Sequence, residues 1–237
     1  MTNDALQQCA EELEAAEKEL ASLSYSVSHD LRAPLRTIDG FSEALLEEYE
    51  SKLDEQGVDY LRRIRGAAAR MELLISCLID LSRVSRDDLK HEQIDVTAMV
   101  TSIASALQKL EPARKVEFSI EPGLVIDGDP RLLRTAFEHL LGNAWKFTNR
   151  HPSARIAVGS ETTEGRRILY VKDDGAGFDP AYAERMFGAF QRFHSASEFD
   201  GTGIGLAMVQ RIVRRHHGKV WALGKVEEGA TFYLDLG

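Results

Sequence analysis

The chain is 237 residues long and carries 29 basic and 38 acidic residues, which gives a formal net charge of −9. This length suits one large domain or two small ones, and 43% hydrophobic with 28% charged residues is typical of a folded, water-soluble protein. The acidic balance argues against nucleic acid as a partner, because nucleic-acid binding needs a basic surface.

The sequence also indicates a compartment. Cys9 and Cys77 are too few for a disulfide framework or a cysteine-rich zinc site. No apolar run reaches the roughly 18 residues needed to span a bilayer, and the polar, acidic start of the chain does not resemble a signal peptide. We therefore expect a cytoplasmic protein without a membrane segment.

Residues 1–24 predict a coiled-coil linker. They carry six acidic residues and one basic residue, and apart from an apolar seam they offer little surface for packing. A parallel dimer is therefore favoured over a single helix that packs within its own domain. The seam alternates spacings of three and four residues and consists of Leu6, Cys9, Leu13, Ala16, Leu20, Leu23 and Val27.

Residues 25–88 predict a helical hairpin. The first helix should continue to about Glu48, and the second should cover roughly Gly57–Val84. Two such helices bury little alone, whereas two copies would form a four-helix bundle. The apolar stripe of the second helix is Leu61, Ile64, Ala68, Met71, Ile75 and Leu78.

Residues 89–237 predict an α+β domain, because β-branched runs, glycine clusters and prolines appear from about residue 92 onward. Asp129 is the expected cap of a helix that starts at Pro130. A sheet with helices on one face should result, an α/β sandwich. The predicted helices are Val96–Leu110, Pro130–Phe147 and Gly205–His217, and the predicted strands are Lys115–Ile120, Arg155–Ser160, Arg167–Lys172, Lys219–Leu223 and Ala230–Leu236.

The first chemical motif is Ser28–Leu35. His29 falls one residue off the apolar side of the heptad, so we expect it to face solvent. An exposed imidazole beside a carboxylate is a usable nucleophile, since Asp30 can take the proton from one ring nitrogen while the other attacks. Pro34 lacks an N–H, so the helix should kink one turn further on. A single exposed histidine is nevertheless more often simply solvated.

The second motif is Glu138–Phe147. His139 and Asn143 are four residues apart, and Asn143 and Lys146 are three apart, so on a helix they share one face. An asparagine oxygen suits a hard cation such as Mg²⁺, and a lysine suits phosphate. The same residues would also suit an ordinary solvated helix face.

Two glycine-rich segments follow. In Asp173–Gly177, an aspartate at a strand end can accept a hydrogen bond from an exocyclic amine such as that of adenine. Gly201–Leu206 opens a helix, whose N-terminal N–H groups can bind phosphate. Either segment could be an ordinary turn. The G-x-G-x-G spacing and the lack of a clear parallel βαβ unit before it disfavour a dinucleotide fold, and the sequence contains no P-loop, H-R-D loop or D-F-G triplet.

Residues 178–200, between the glycine segments, are long for a plain loop and predict a lid. Its aromatic side chains could dock on the nucleotide, on the sheet edge or on the helical hairpin. Five of the ten phenylalanines of the chain lie here: Phe178, Phe187, Phe190, Phe193 and Phe199.

In order and spacing, these segments resemble the sequence boxes of sensor histidine kinases of two-component systems, over about residues 22–237. The sequence of residues 187–194 is most similar to that of phytochrome-like and PAS-linked kinases. The matching segments are Ser28–Leu35 (H box), Glu138–Phe147 (N box), Asp173–Gly177 and Gly201–Leu206 (glycine boxes), Met186–Phe193 (F box) and Gly229–Phe232 (a short glycine motif).

The resemblance implies a dimeric hairpin followed by a Bergerat-type ATP-binding sandwich. It implies a kinase that transfers the γ-phosphoryl group of ATP to His29, with Asp30 as acid/base neighbour, and then to an aspartate of a response-regulator receiver domain. Asn143 would hold Mg²⁺, Asp173 would bind the adenine amine, and Lys146 and Arg192 would contact phosphates. The implied ATP-binding set is Asn143, Lys146, Phe147, Asp173, Gly175, Gly177, Arg192, Thr202, Gly203, Gly205 and Leu206.

Two positions depart from the family pattern. His139 stands where the family most often has Asn, which bears on Mg²⁺ binding, and Ala33 stands where many members have Thr or Asn. We expect a homodimer whose sensor domain lies upstream or on another chain. The alternatives are a chaperone- or topoisomerase-like ATPase, which the His29 motif disfavours, and a nucleotide-binding scaffold without turnover, which only His139 favours.

Overall fold

The structure is a computed structural model that describes residues 3–84, 89–163, 165–191, 199 and 201–237, without the side chains of residues 3–25, 82 and 83. The chain divides into two compact units, Met1–Asp87 and Asp88–Gly237. Among the described residues, no helix combines the length and apolar character that crossing a membrane requires.

The first unit is a helical hairpin. Helix α1 covers Asn3–Tyr49 and is continuous through Pro34, a 3₁₀ turn follows, and α2 covers Glu55–Val84. The predicted ends at Glu48 and Gly57 are therefore correct to within two residues. The predicted seam from Leu6 to Val27 lies on the α1 backbone. The side chains of its first six members lie outside the described part of the chain, and Val27 is 54% exposed in the single chain.

The hairpin has a small core, and ion pairs join its two helices. Arg65 on α2 donates to Asp39 at 3.1 Å and to Glu43 at 2.7 Å, both on α1. These partly exposed ion pairs add modestly to stability. The buried cluster consists of Leu35, Ala68, Ile75 and Ile79.

Much of the apolar surface of the hairpin stays exposed in the single chain. Of the predicted α2 stripe, Ala68 and Ile75 are buried, whereas Ile64 and Met71 are 43% and 47% exposed. On α1, Phe41 is 71% exposed. Large apolar side chains left exposed in this number are typical of an interaction surface, so the four-helix bundle of two chains stays a prediction.

The second unit is an α/β sandwich, which confirms the predicted fold class. A five-stranded sheet of order β2-β4-β5-β7-β6 has its buried core on the side of the three helices, and β1 and β3 form a separate antiparallel ribbon. The helices are α3 (Val96–Leu110), α4 (Pro130–Phe147) and α5 (Gly205–Arg215). The strands are β1 (Glu92–Asp95), β2 (Val116–Ile120), β3 (Val125–Gly128), β4 (Ala154–Thr163), β5 (Arg166–Asp173), β6 (Lys219–Lys225) and β7 (Gly229–Asp235).

The sequence analysis did not predict any parallel strand pair, and the sheet contains one. β2 and β4 run parallel, with Val116 opposite Ala154, and α4 lies in their connection. A parallel β–α–β unit is therefore present. It does not lead into either glycine segment, because β5, the strand before the first one, is antiparallel to both of its neighbours.

Asp129 fixes the start of α4, as predicted. Its side chain accepts the N–H groups of Arg131 and Leu132 at 3.0 Å. Its own N–H donates to Nε2 of buried His216 at 3.0 Å, and Nδ1 of His216 lies 2.8 Å from the Ile212 carbonyl oxygen. The start of α4 is thereby tied to the end of α5.

Candidate active site

One face of α4 carries the polar residues that the sequence singled out. His139, Asn143 and Lys146 are half-buried and share this face with Gly142, whereas the opposite face is packed into the core. Apart from its chain neighbours and the nearby backbone of α4, no atom of the described residues lies within 4 Å of the place where a Cβ of Gly142 would be. A mid-helix glycine costs about 1 kcal/mol relative to alanine, so the helix gives up stability where it leaves open space beside Asn143.

The second glycine segment lies against this face. A Cβ on Gly205, the first residue of α5, would be 3.2 Å from Nδ1 of His139, and one on Gly201 would be 3.2 Å from Nζ of Lys146. Gly203 has φ +74°, which glycine adopts without strain. The N-terminal end of α5 and its N–H groups are therefore brought to the polar face of α4. The predicted site residues Thr202 and Leu206 are half-buried on either side of Gly205.

The first glycine segment closes onto the end of α4. The N–H of Ala176 donates to the Phe147 carbonyl oxygen at 3.0 Å, and a Cβ on Gly175 would be 2.5 Å from that same oxygen. Gly177 has φ +61°, and a Cβ there would collide with the backbone of Lys225. Both glycines are thus required by close backbone approaches, and the two glycine segments and α4 form one region.

Asp173 is a buried carboxylate at the end of β5, with 4% of its surface exposed. Burial raises its pKa to about 6, and hydrogen bonds from the N–H groups of Gly175 and Ala230 act in the opposite direction. The Gly175 N–H donates to Oδ1 at 2.9 Å. A buried carboxylate with so raised a pKa is typical of a functional site, and a further donor such as an amine would favour its ionised form.

The segment between the glycine boxes contributes buried aromatic side chains to the second unit. Phe178, Phe187 and Phe199 are buried. Phe178 packs against Gly224 of the edge strand β6, which agrees with the sheet edge as a docking place. Phe190 is 49% exposed and has φ +63°, a strained conformation for a non-glycine residue. The predicted site residue Arg192, like Phe193, lies outside the described residues.

A stack of cations and rings that the sequence analysis missed flanks the end of α4. Nζ of Lys146 lies 4.2 Å from the ring centroid of Phe147, and the Phe147 and Phe199 centroids are 4.9 Å apart, edge to face. Cζ of Arg150 lies 5.0 Å from the Phe199 centroid. The one sequence signal for Arg150 is its position four residues after Lys146. Nothing in the sequence indicates that Phe199 packs on Phe147.

His29 lies on α1 of the helical unit and faces solvent, as predicted. The His29 and Asp30 side chains are 73% and 78% exposed, and Nδ1 of His29 lies 3.3 Å from Oδ1 of Asp30. If Nδ1 carries the proton and donates it to Asp30, the lone pair of Nε2 is left available for attack. The adjacent Ser28 is buried, which fixes the side of the helix that His29 presents.

Two family models match the chain, one for each unit. Residues 19–86 match the family described as His Kinase A (phospho-acceptor) domain, and residues 128–237 match the family of histidine kinase-, DNA gyrase B- and HSP90-like ATPases. The ATPase match covers α4 and both glycine segments, and the phospho-acceptor match covers His29.

Curated relatives resemble nearly the whole chain. Cyanobacterial phytochrome B of Nostoc sp. is 34% identical over 236 residues, which cover 98% of this chain and 31% of that protein. The phosphate regulon sensor protein PhoR of Pseudomonas aeruginosa is 32% identical over 213 residues, 87% of this chain and 47% of that protein. The chain therefore spans about a third of the length of the phytochrome and about half of the PhoR protein.

Solved structures share the fold at lower identity. The histidine kinase AdeS of Acinetobacter baumannii has a TM-score of 0.58 at 20% identity, over 88% of this chain and 98% of that one. Full-length ShkA in complex with AMPPNP has a TM-score of 0.64 at 23% identity, over 91% of this chain and 45% of that one. With a phospho-acceptor hairpin followed by an ATPase sandwich of this type, the chain belongs to the sensor histidine kinases of two-component systems.

Proposed function

We propose that this chain is an ATP-dependent protein-histidine kinase that phosphorylates its own His29 and passes the phosphoryl group to an aspartate in the receiver domain of a response regulator. The observation that best supports this proposal is the exposed His29 with Nδ1 3.3 Å from Asp30. It supplies a nucleophile in one unit, while the second unit supplies a nucleotide-binding region.

In the proposed reaction, Nε2 of His29 attacks the γ-phosphorus of ATP. A nitrogen–phosphorus bond forms, the bond between the γ-phosphorus and the bridging oxygen of the β-phosphate breaks, and ADP leaves with that oxygen. Asp30 takes up the Nδ1 proton as positive charge develops on the ring. In phosphotransfer, a regulator carboxylate displaces Nε2 from phosphorus. Most of the rate enhancement of such a step comes from positioning and from charge stabilisation.

In the second unit, we assign the adenine amine to the Asp173 carboxylate and the phosphates to Lys146 and the N-terminal end of α5. The proximity of Lys146 to Gly201 supports this assignment, because it brings the ammonium group close to the glycine segment that leads into the N–H groups at the start of α5. Arg192 is proposed as a further phosphate contact from the family pattern alone. The Phe147 side chain would contact the nucleotide between its adenine and its phosphates.

We propose that Mg²⁺ is held at Asn143. The described residues contain no group of three or more His, Cys, Asp or Glu side chains that could hold a metal alone. A half-buried amide oxygen beside open space fits an ion that takes its other ligands from phosphates and water, as Mg²⁺ usually does. When bound, the ion would offset charge on the phosphates.

We further propose a coiled-coil linker over residues 1–24, a dimerisation and histidine phosphotransfer domain over 25–88 and a catalytic ATP-binding domain over 89–237. The exposed apolar surface of the hairpin, including Phe41 and Met71, supports a homodimer. Because ATP and receiver domains are cytoplasmic, we place the reaction in the cytoplasm, with the sensor domain outside residues 1–237.

Incubation of the chain with ATP labelled at the γ-phosphate tests the proposal. We expect label that is lost in acid and kept in base, the signature of phosphohistidine. His29→Gln should abolish labelling and leave nucleotide affinity within a few-fold, whereas His217→Gln, at an exposed histidine beyond α5, should label normally. Label retained by His29→Gln would contradict the assignment. Release of free phosphate without protein labelling would favour a gyrase- or chaperone-like ATPase.

A further inference from the structure

His139 is a polar residue of the candidate site to which the proposed chemistry gives no role. It lies one helical turn before Asn143 on the same face of α4, and both side chains are half-buried. A Cβ on Gly205, at the start of the second glycine segment, would be 3.2 Å from its Nδ1. The imidazole is therefore at the phosphate end of the region rather than in the hydrophobic core.

The described part of the chain leaves open space beside these two residues. Gly142 lies between them in sequence and faces the same side, and apart from its chain neighbours and the nearby α4 backbone no described atom lies within 4 Å of its missing Cβ. Two side chains at positions i and i+4 of a helix can hold one ion, which is the spacing of the two histidines in helical zinc sites. His139 and Asn143 thus provide a nitrogen and an oxygen donor on one helix face, with room for an ion between them and the phosphates.

Imidazole and amide donors favour different metals. Mg²⁺ strongly prefers oxygen ligands in near-ideal octahedral geometry. Nitrogen ligands bind divalent transition metals in the order Mn²⁺ below Co²⁺, and imidazole suits the later metals of this series. Replacing an oxygen donor with an imidazole should therefore weaken binding with Mg²⁺ relative to binding with Co²⁺.

We infer that His139 is a second protein ligand of the nucleotide-bound metal ion, beside Asn143, and that it shifts the metal preference of nucleotide binding from Mg²⁺ toward Mn²⁺ and, more strongly, Co²⁺. This inference rests on the proposed function, in which Asn143 holds the ion. It assigns to this chain a metal specificity that an asparagine at the same position would not give.

The test measures the affinity of the full chain for a non-hydrolysable ATP analogue by calorimetry, with Mg²⁺, Mn²⁺ or Co²⁺ saturating the analogue. The wild-type chain should bind the Co²⁺ complex more tightly than the Mg²⁺ complex, and His139→Asn should lower the Co²⁺-to-Mg²⁺ affinity ratio about ten-fold or more, the size of effect usual for altered metal-site partners. The control His217→Asn, outside the region and at a φ of +57° that Asn tolerates, should leave the ratio unchanged.

A spectroscopic measurement gives a second readout. Pulsed electron paramagnetic resonance of the Mn²⁺–analogue complex should show a nitrogen coupling that changes on ¹⁵N-histidine labelling and is lost in His139→Asn. An equal loss of affinity with all three metals in His139→Asn would overturn the inference in favour of a phosphate or packing contact, and so would an unchanged ratio. If the wild-type chain binds the analogue with none of the metals, the proposed function is wrong as well. An unchanged affinity ratio, by contrast, contradicts only the metal-binding role of His139.

Discussion

Replacing Asp173 with asparagine should stabilise the folded chain and weaken its binding of ATP. The carboxyl is 4% exposed, and burial raises its pKa from 3.8 to about 6. Because the folded pKa lies above the unfolded one, the folded state holds the proton more tightly between these values, and stability falls as the pH rises through this window. By pH 7.5 the ionised carboxylate costs about 3 kcal/mol, at about 1.4 kcal/mol for each pKa unit.

The amide variant does not recover all of this cost. A carboxylate offers two acceptor oxygens, whereas the amide offers one, so one of the two N–H groups that bond the carboxylate, from Gly175 and Ala230, can lose its partner. A lost hydrogen bond costs about 1 kcal/mol. We therefore expect Asp173→Asn to be more stable than wild type by about 2 kcal/mol at pH 7.5, and by clearly less at pH 5, where wild type has regained about half of the ionisation cost.

Urea unfolding of both proteins without nucleotide, at pH 7.5 and pH 5, measures this difference. In the same samples, calorimetry should show ATP affinity reduced about ten- to a hundred-fold in the variant, which is the loss of one charge-assisted hydrogen bond. A variant that is no more stable than wild type at pH 7.5, or equally stabilised at both pH values, would refute the burial argument. Unchanged ATP affinity would refute the adenine contact.

Three further predictions concern other parts of the chain. Inserting one residue before Leu23 rotates the downstream helix by about 100° and should change autophosphorylation sharply, whereas seven inserted residues should restore it. If autophosphorylation changes with neither insertion, the seam only holds the dimer together. Ala33→Thr should speed dephosphorylation of a phosphorylated regulator in the presence of ADP, because a methyl group cannot orient water; wild-type turnover much faster than the decay of the regulator alone would contradict this. Burial lowers the pKa of His216 below its usual 6.5, so its contribution to stability is complete above that pH and is lost as the pH falls below it; thermal unfolding between pH 5 and 7.5 should show this slope, and His216→Gln should flatten it.

The elements with strong local signals could be predicted from the sequence. Helix α4 begins at its Asp129 cap, and α3 has the predicted bounds, because caps and helical periodicity act within a few residues. The ribbon of β1 and β3 was missed because each strand has four residues and little alternation. The parallel pairing of β2 with β4 was missed because it joins segments more than 30 residues apart, which no local pattern encodes.

The candidate site shows the same difference between features with local sequence signals and contacts between distant segments. The polar face of α4 and the glycine turns were predictable, since helical spacing places residues on one face and glycine marks close approaches. The contacts between these pieces were not: Lys146 beside Gly201, Phe147 against Phe199 and Arg150 over Phe199 depend on how distant segments pack.

The buried hydrogen bond from the Asp129 N–H to His216 links the region where the nucleotide is proposed to bind to the stability of the second unit. α4 carries His139 and Asn143 on one face, and α5 begins at Gly205, which lies against His139. Because the end of α5 is fixed to the start of α4 through His216, a shift of either helix would move the glycine segment relative to the polar face. Rigid helices held in this way position a binding site more accurately than loops do. The contacts that stabilise the fold thus lie at one end of the two helices. The groups that lower the stability of the fold, a buried carboxylate and a mid-helix glycine, lie where the nucleotide is proposed to bind.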